Sequence, residues 1–272
     1  MASLMAVLVI GCVVRAGFAI IFPMGLPVHA TASSRVDYGF AAERVPRVSR
    51  KHESGAVRPS FDVSQPVRHS PPPSDVPKAY DRAYFDRWYR DPTDRVSTRD
   101  SLERKVRMAV SVTEFLIGRK IRSVLDVGCG EAPWQPLLQR IRPNAYYIGV
   151  ESSDYVIERY GESRNIQHGT LGRLHTMGFD RGIDLIVCAD VLQYVETRDV
   201  ERGLRTIRRL VGGVAYIEAF TTEDAMEGDH DDWHERSAAE YRRLFRGAGL
   251  TRCGPYCFTN AAELNATTFE LL

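Results

Sequence analysis

Asp126, Gly128 and Gly130 stand in VLDVGCGEAPW, an apolar run that ends in an acid and breaks into glycines, and Glu151 follows in YYIGVESS. The pattern suits a strand delivering a turn that cradles a ligand. Glycine lets backbone come close to a ligand and takes dihedral angles that side chains disfavour, and the next helix aims its free amides at the same place. A dinucleotide turn reads G-x-G-x-x-G, but the third glycine falls at Pro133, which offers neither close helix–strand packing nor an amide. A nucleoside triphosphate loop needs G-K-[ST], and none follows. A pyrophosphate is therefore a poor fit.

The two carboxylates narrow the choice. Asp126 repels phosphate and suits an ammonium group or a bridging water, while Glu151 can accept hydrogen bonds from both hydroxyls of a ribose. A ribose, a cationic amino-acid end and no phosphate occur together in S-adenosylmethionine. Transfer of its methyl group needs the acceptor held in line, a contribution of up to about 7–11 kcal/mol, and for O–H or N–H acceptors it can also need a base. The catalytic candidates are His230 and His234 in EGDHDDWHERS, together with Tyr194, which follows a strand and with Gln193 could face the acceptor. Two histidines four apart can bind a metal if helical, but this stretch precedes the Ser237-Ala-Ala-Glu240 capping box and reads as loop. No metal site is expected. Five aromatics in AYDRAYFDRWYRDP (Tyr80, Tyr84, Phe85, Trp88 and Tyr89) read as a lid, residues 79–99, over the cofactor.

The elements that must position these groups alternate from about residue 100 onward. A helix opens at Asp100-Ser-Leu-Glu, and Ile121–Val127, rich in aliphatic residues, reads as a buried parallel strand. Pro136–Arg140 reads as helix, Ala145–Val150 as strand, Asp154–Tyr160 as helix, Asn165–His168 and Ile183–Ala189 as strands. Val200, Leu204, Ile207 and Val211 mark a helix stopping at Gly212-Gly213, before a strand from Val214 to Phe220. A helix from Ser237 to Gly249 precedes two β-like segments, Leu250–Phe258 and Leu264–Leu272. The order predicts an α/β fold: a doubly wound, mostly parallel seven-stranded sheet with an antiparallel hairpin at its end.

With those elements in order, the chain resembles the class I S-adenosylmethionine-dependent methyltransferases, which are Rossmann-like. VLDVGCGEAPW looks like their first motif, YYIGVESS like the second, IDLIVCADVLQYV like the fourth-strand motif, and GGVAYIEAF like the fifth strand. The resemblance implies that Asp126, Gly128 and Gly130 line the methionine portion, that Glu151 holds the ribose and that Ser152 lies beside the adenine. It places Gly169, Thr170 and Leu171 against the adenine ring, and Asp190 either at the cofactor or at a helix start. The chain departs from the family at Thr170, where an acid is frequent, and at Ala132, where many members have glycine.

Composition bounds the partners. Of 272 residues, 44% are hydrophobic and 26% charged, as in ordinary globular proteins. Residues 1–78 hold nine Lys/Arg against five Asp/Glu, and the remainder 27 against 30. A mildly acidic folded part offers no electrostatic footprint for nucleic acid, so a small-molecule methyl acceptor is the expected partner. RNA or protein methylation, a non-catalytic cofactor-binding module and a nicotinamide oxidoreductase are the rival readings. Residues 1–30 form an apolar leader with Arg15 as its one charge, readable as signal-like segment, membrane anchor or start-site artefact. Residues 31–78, with seven prolines and eight serines, read as a disordered linker. Five irregularly spaced cysteines give no disulfide framework and fit a reducing compartment. A cytoplasmic location follows, with membrane contact only if the leader is retained.

Overall fold

The computed structural model describes residues 78–93, 97–224 and 229–262. The expected leader, most of the expected linker and the segment Leu264–Leu272 lie outside the described residues. The first described elements are a short helix, α1 (Arg82–Phe85), continued by a π-helical turn, Asp86–Arg90. Helix α2 (Arg99–Ile117) follows. Its cap is Thr98, whose hydroxyl accepts from Ser101 N, two residues before the expected start. Asp100 instead sits in the first turn, where a carboxylate faces the positive end of the helix dipole.

Seven strands then form one sheet: β1 (Ser123–Val127), β2 (Tyr146–Glu151), β3 (Ile166–His168), β4 (Ile183–Ala189), β5 (Val211–Glu218), β6 (Thr251–Gly254) and β7 (Cys257–Thr259). Their order is β3-β2-β1-β4-β5-β7-β6, with β7 antiparallel to both neighbours and the other pairings parallel. The doubly wound sheet is as expected. The closing hairpin is tighter: both of its strands come from the segment expected as one, turning at Tyr256 with φ of 55°.

Helices α3 (Trp134–Ile141) and α4 (Asp154–Tyr160) link the early strands, α5 (Thr197–Leu210) joins β4 to β5, and α6 (Ala238–Gly247) precedes β6. The expected capping box is present: Glu240 N donates to Ser237 Oγ and Ser237 N to Glu240 Oε2. Strand β5 starts earlier than the sequence implies, because Gly212-Gly213 belongs to the strand rather than ending α5. A β-bulge lies opposite, and a Cβ on Gly213 would stand 2.3 Å from Asp184 O. Only glycine allows that approach.

Two apolar layers hold the sheet. Leu125, Ile186 and Ile217 pack beneath Val200, Leu204 and Ile207 of α5 and Tyr241 of α6. On the other face, Val124, Leu185, Val187 and Tyr216 meet Val106 and Ala109 of α2 and Trp134 and Leu138 of α3. Each fully buried aliphatic side chain contributes roughly 1.5–3 kcal/mol. With both faces covered, the carboxyl ends of β1, β2 and β4 are left to carry a site. No helix among the described residues is long and apolar enough to cross a membrane.

Candidate active site

Two adjoining cavities open above those strand ends. The smaller, about 410 Å³, is lined by Gly128, Gly130, Glu151, Ser152, Gly169, Thr170, Leu171 and Asp190. Residues from the ends of β1 to β4 are thus brought together as the sequence pattern anticipates. The larger, about 570 Å³, is lined by Asp126, Trp134, Lys105, Gln193, Glu218, Phe220 and Asp229. Gly128, Asp190, Tyr84, Tyr89 and Tyr194 line both.

The glycine turn is held from below. Gly128 N and Cys129 N both donate to Val150 O of β2. Gly128 and Gly130 take φ of 69° and 53°, and a Cβ on Gly130 would lie 2.5 Å from the Tyr89 hydroxyl. Glu151 is preorganised by amides: Gly130 N donates to Oε2 at 2.8 Å, and Ser152 N and Ser153 N donate to Oε1 at 2.8 and 3.1 Å.

Asp126 stands apart from the other expected cofactor residues, in the wall of the larger cavity. It is 3% exposed, and the Tyr147 hydroxyl donates to its Oδ2 at 2.8 Å. Burial pushes its carboxyl up to about 7; the Tyr147 hydrogen bond works against the rise and Glu151 adds to it. Asp190 directly follows β4 with φ of 60° and donates its amide to Glu218 O. Its carboxyl too is pushed up to about 7, by burial and then by the neighbouring Glu218, with Lys105 opposing. Glu218 itself receives the Tyr216 hydroxyl at 2.9 Å and pairs with Lys105 at 2.8 Å.

The aromatic segment lies against the cavities. Ser153 Oγ donates to Tyr80 O, Asp81 caps α1 by accepting from Tyr84 N, and Phe85 is buried. Arg90 bridges Asp86 and Glu131. Although Tyr89 is 37% exposed overall, its hydroxyl end reaches into the site. Burial, then Glu151 and Asp190, hold that phenol well above its ordinary value. Lys78, assigned to the linker on composition, pairs with Asp229, donates to Asp231 O and lies 3.9 Å from the Tyr194 ring centroid.

The catalytic candidates separate. Tyr194 lines both cavities, and its hydroxyl donates to Asp229 O. His230 and His234 are exposed on the loop before α6, His230 stacked on Trp233, and neither lines a cavity. That loop is anchored by its backbone and by Arg236: His234 N donates to Gln193 O, and the buried guanidinium to Leu192 O and Val195 O. Among the described residues no group of histidine, cysteine and acidic side chains could hold a metal ion. Trp134 is core as well as wall, 4% exposed with its ring 5.1 Å from that of Tyr216. Lys78 and Lys105 lie outside the motifs, and Tyr147 and Glu218 lie inside them without an expected role; their contacts come from the packing.

The profile of a family described as a methyltransferase domain matches residues 77–255. The chain belongs to that family. Residues 77–255 are thus a methyltransferase domain. No curated protein matches the sequence. Among solved structures, the methyltransferase is similar to an S-adenosylmethionine-dependent methyltransferase of Archaeoglobus fulgidus, with 13% identity over 62% of this chain and 73% of that one, and a TM-score of 0.46. It is similar to the plantazolicin methyltransferase BamL, with 14% identity over 55% of this chain and 63% of that one, TM-score 0.44. Human N-acetylserotonin methyltransferase gives 15% identity over 57% and 50%, TM-score 0.43. The chain thus spans half to under two thirds of the length of the latter two.

Proposed function

We propose that this methyltransferase acts on a small molecule held in the larger cavity, with the donor in the smaller one. The observation that carries the reading is the shared wall: one cavity gathers the residues expected at the cofactor, the other is walled by aromatics, and both meet at Gly128 and Asp190. A cavity of about 570 Å³ lies within the usual range for small-ligand sites. The residues suit the donor, since Gly128 and Gly130 leave room for Val191 and Tyr89 to close over the turn at the cavity wall, and the Glu151 carboxylate is held in place by three amides.

In this reading Glu151 holds the ribose hydroxyls, and Ser152, Gly169, Thr170 and Leu171 surround the adenine. Gly128 and Gly130 give backbone access to the methionine end, whose ammonium group Asp126 attracts across the shared wall. The donor brings a methyl group already activated by positive sulfur. The protein orients the acceptor against it and excludes water with Tyr84, Tyr89 and Tyr194, which line both cavities. Aromatic walls under the segment 78–90 favour a compact acceptor over RNA or protein.

Calorimetry of S-adenosylhomocysteine binding to the full chain tests the donor site, and absence of binding would end the reading. Incubating extracts with enzyme and deuterated donor, then finding labelled small molecules by mass spectrometry, tests the acceptor class. Labelled RNA or protein without labelled metabolites would overturn it.

A further inference from the structure

Asp190 lines both cavities, and its contacts differ from those of Asp126, Glu218 and Asp229. Asp126 receives the Tyr147 hydroxyl, Glu218 receives Tyr216 and Lys105, and Asp229 is paired with Lys78. The Oδ1 of Asp190 is buried and has no hydrogen-bond partner. Its backbone is also held in the left-handed region, at φ of 60°, which a side-chain-bearing residue rarely adopts. A carboxyl side chain that lines both cavities from a left-handed turn, with one oxygen buried and unpartnered, calls for a group that supplies a hydrogen.

We infer that Asp190 takes the proton from the methyl acceptor, which therefore presents an N–H or O–H rather than a carbon nucleophile. The inference rests on the small-molecule methyltransferase reading and deepens it. As the acceptor nitrogen or oxygen bonds to the methyl carbon, the carbon–sulfur electron pair returns to sulfur, and the acceptor's proton passes to the Asp190 carboxylate. Asp190 is thus a catalytic residue for the acceptor rather than a ligand of the cofactor. The titratable and charged groups around it are Glu218 and Tyr216 of β5, Lys105 of α2, Cys188 of β4, Tyr89 of the π-turn and Tyr194. Burial with Glu218 nearby brings its carboxyl to about 7, where it can both accept and release a proton near neutrality.

Two donor-site ligands test this without knowledge of the acceptor. Sinefungin carries an amine-bearing carbon in place of the sulfur and so sets an ammonium group where the methyl would lie; S-adenosylhomocysteine has nothing there. Both share the amino-acid end, so any effect of Asp126 cancels in their ratio. Calorimetry on the full chain at pH 8 should show sinefungin binding on the order of tenfold more tightly, as a charge-assisted hydrogen bond allows. The preference should decline as the pH falls below about 7 and Asp190 takes up a proton. Asp190→Asn, which keeps a residue tolerant of left-handed backbone, should bring the ratio to about one while S-adenosylhomocysteine binds within roughly twofold of wild type. Equal loss of both ligands would make Asp190 a cofactor ligand, and an unchanged ratio would show that the carboxylate does not face the methyl position; either overturns the inference. Failure of both ligands to bind the wild type would sink the methyltransferase reading itself. Wild-type pH dependence supplies the answer if the variant does not fold.

Discussion

The Tyr147 hydroxyl lies 2.8 Å from Asp126 Oδ2 inside the sheet end, joining β2 to β1 in the wall of the larger cavity. It is the one hydrogen bond that favours ionisation of a carboxyl otherwise raised by burial and by Glu151. The folded pKa of about 7 stands above the ordinary unfolded value, so the folded state holds the extra proton between about pH 4 and 7. Stability from this group is present below that window and is lost as the pH rises through it. Asp126→Asn should raise stability at pH 8 by on the order of 2 kcal/mol, and the gain should vanish near pH 4. Thermal melts of both proteins at the two pH values check this; a gain that is equal at both would contradict it.

The same carboxyl makes donor binding pH-dependent. If Asp126 attracts the ligand's ammonium group, S-adenosylhomocysteine should bind more tightly as the pH rises through about 7. Calorimetry in buffers of different ionisation enthalpy should detect proton release on binding near pH 6.5. Asp126→Asn should abolish the release, and release that persists would point to another group.

Gly130→Ala places a Cβ 2.5 Å from the Tyr89 hydroxyl at φ of 53°. The left-handed backbone should cost about 1–2 kcal/mol of stability. Tyr89 must also move, so affinity for S-adenosylhomocysteine should fall. Adding Tyr89→Phe should recover part of the affinity but not the stability, because the backbone strain stays.

Lys78→Met tests whether the aromatic segment is latched. The Lys78 and Asp229 side chains are 7% and 4% exposed, and removing the cation strands a buried carboxylate. Such losses cost about 3–5 kcal/mol where the pair is fully buried. Hydrogen exchange should accelerate across residues 78–90 while β1 and β4 stay protected. Uniform acceleration would show that the pair supports the whole domain instead.

Far from the site, Arg119 forks onto Asp184, which also accepts from Arg122 N. Burial raises the Asp184 carboxyl, but the Arg119 and Arg122 hydrogen bonds outweigh it and leave the group below its ordinary value. Arg119→Ala should cost about 2–3 kcal/mol at neutral pH, within the range for breaking a hydrogen bond to a charged group. The loss should shrink as the pH falls through the unfolded pKa and below, measured by urea unfolding at pH 7 and pH 3.

How far the sequence carries can be read at particular residues. The turn at Gly128 and Gly130, the acid ending β2 and the β4 motif sit in contiguous stretches whose apolar periodicity and glycines are local properties. They predicted the sheet, and proximity to strand ends puts all eight residues expected at the cofactor other than Asp126 around the smaller cavity, with Gly128 and Asp190 lining the larger one as well. Gly212-Gly213 misled, because a helix stop and a bulged strand start share the same glycines, and the approach of Asp184 O decides between them. The spacing of the histidine pair is visible in the sequence, but the Arg236 anchor of its loop is not.

The sequence by itself determined the order of elements, the glycine turn and the residues able to surround a ribose, since these depend on neighbours in the chain. The tertiary structure decided how each acid at the cavities is partnered. Asp126, Asp190, Glu218 and Asp229 are alike as residue types, and they diverge because strand register puts Tyr147 beside the first, packing of α2 brings Lys105 to the third, and the incoming segment lays Lys78 on the last. Asp190 lines both cavities at the end of the strand register, with its Oδ1 buried and without a hydrogen-bond partner.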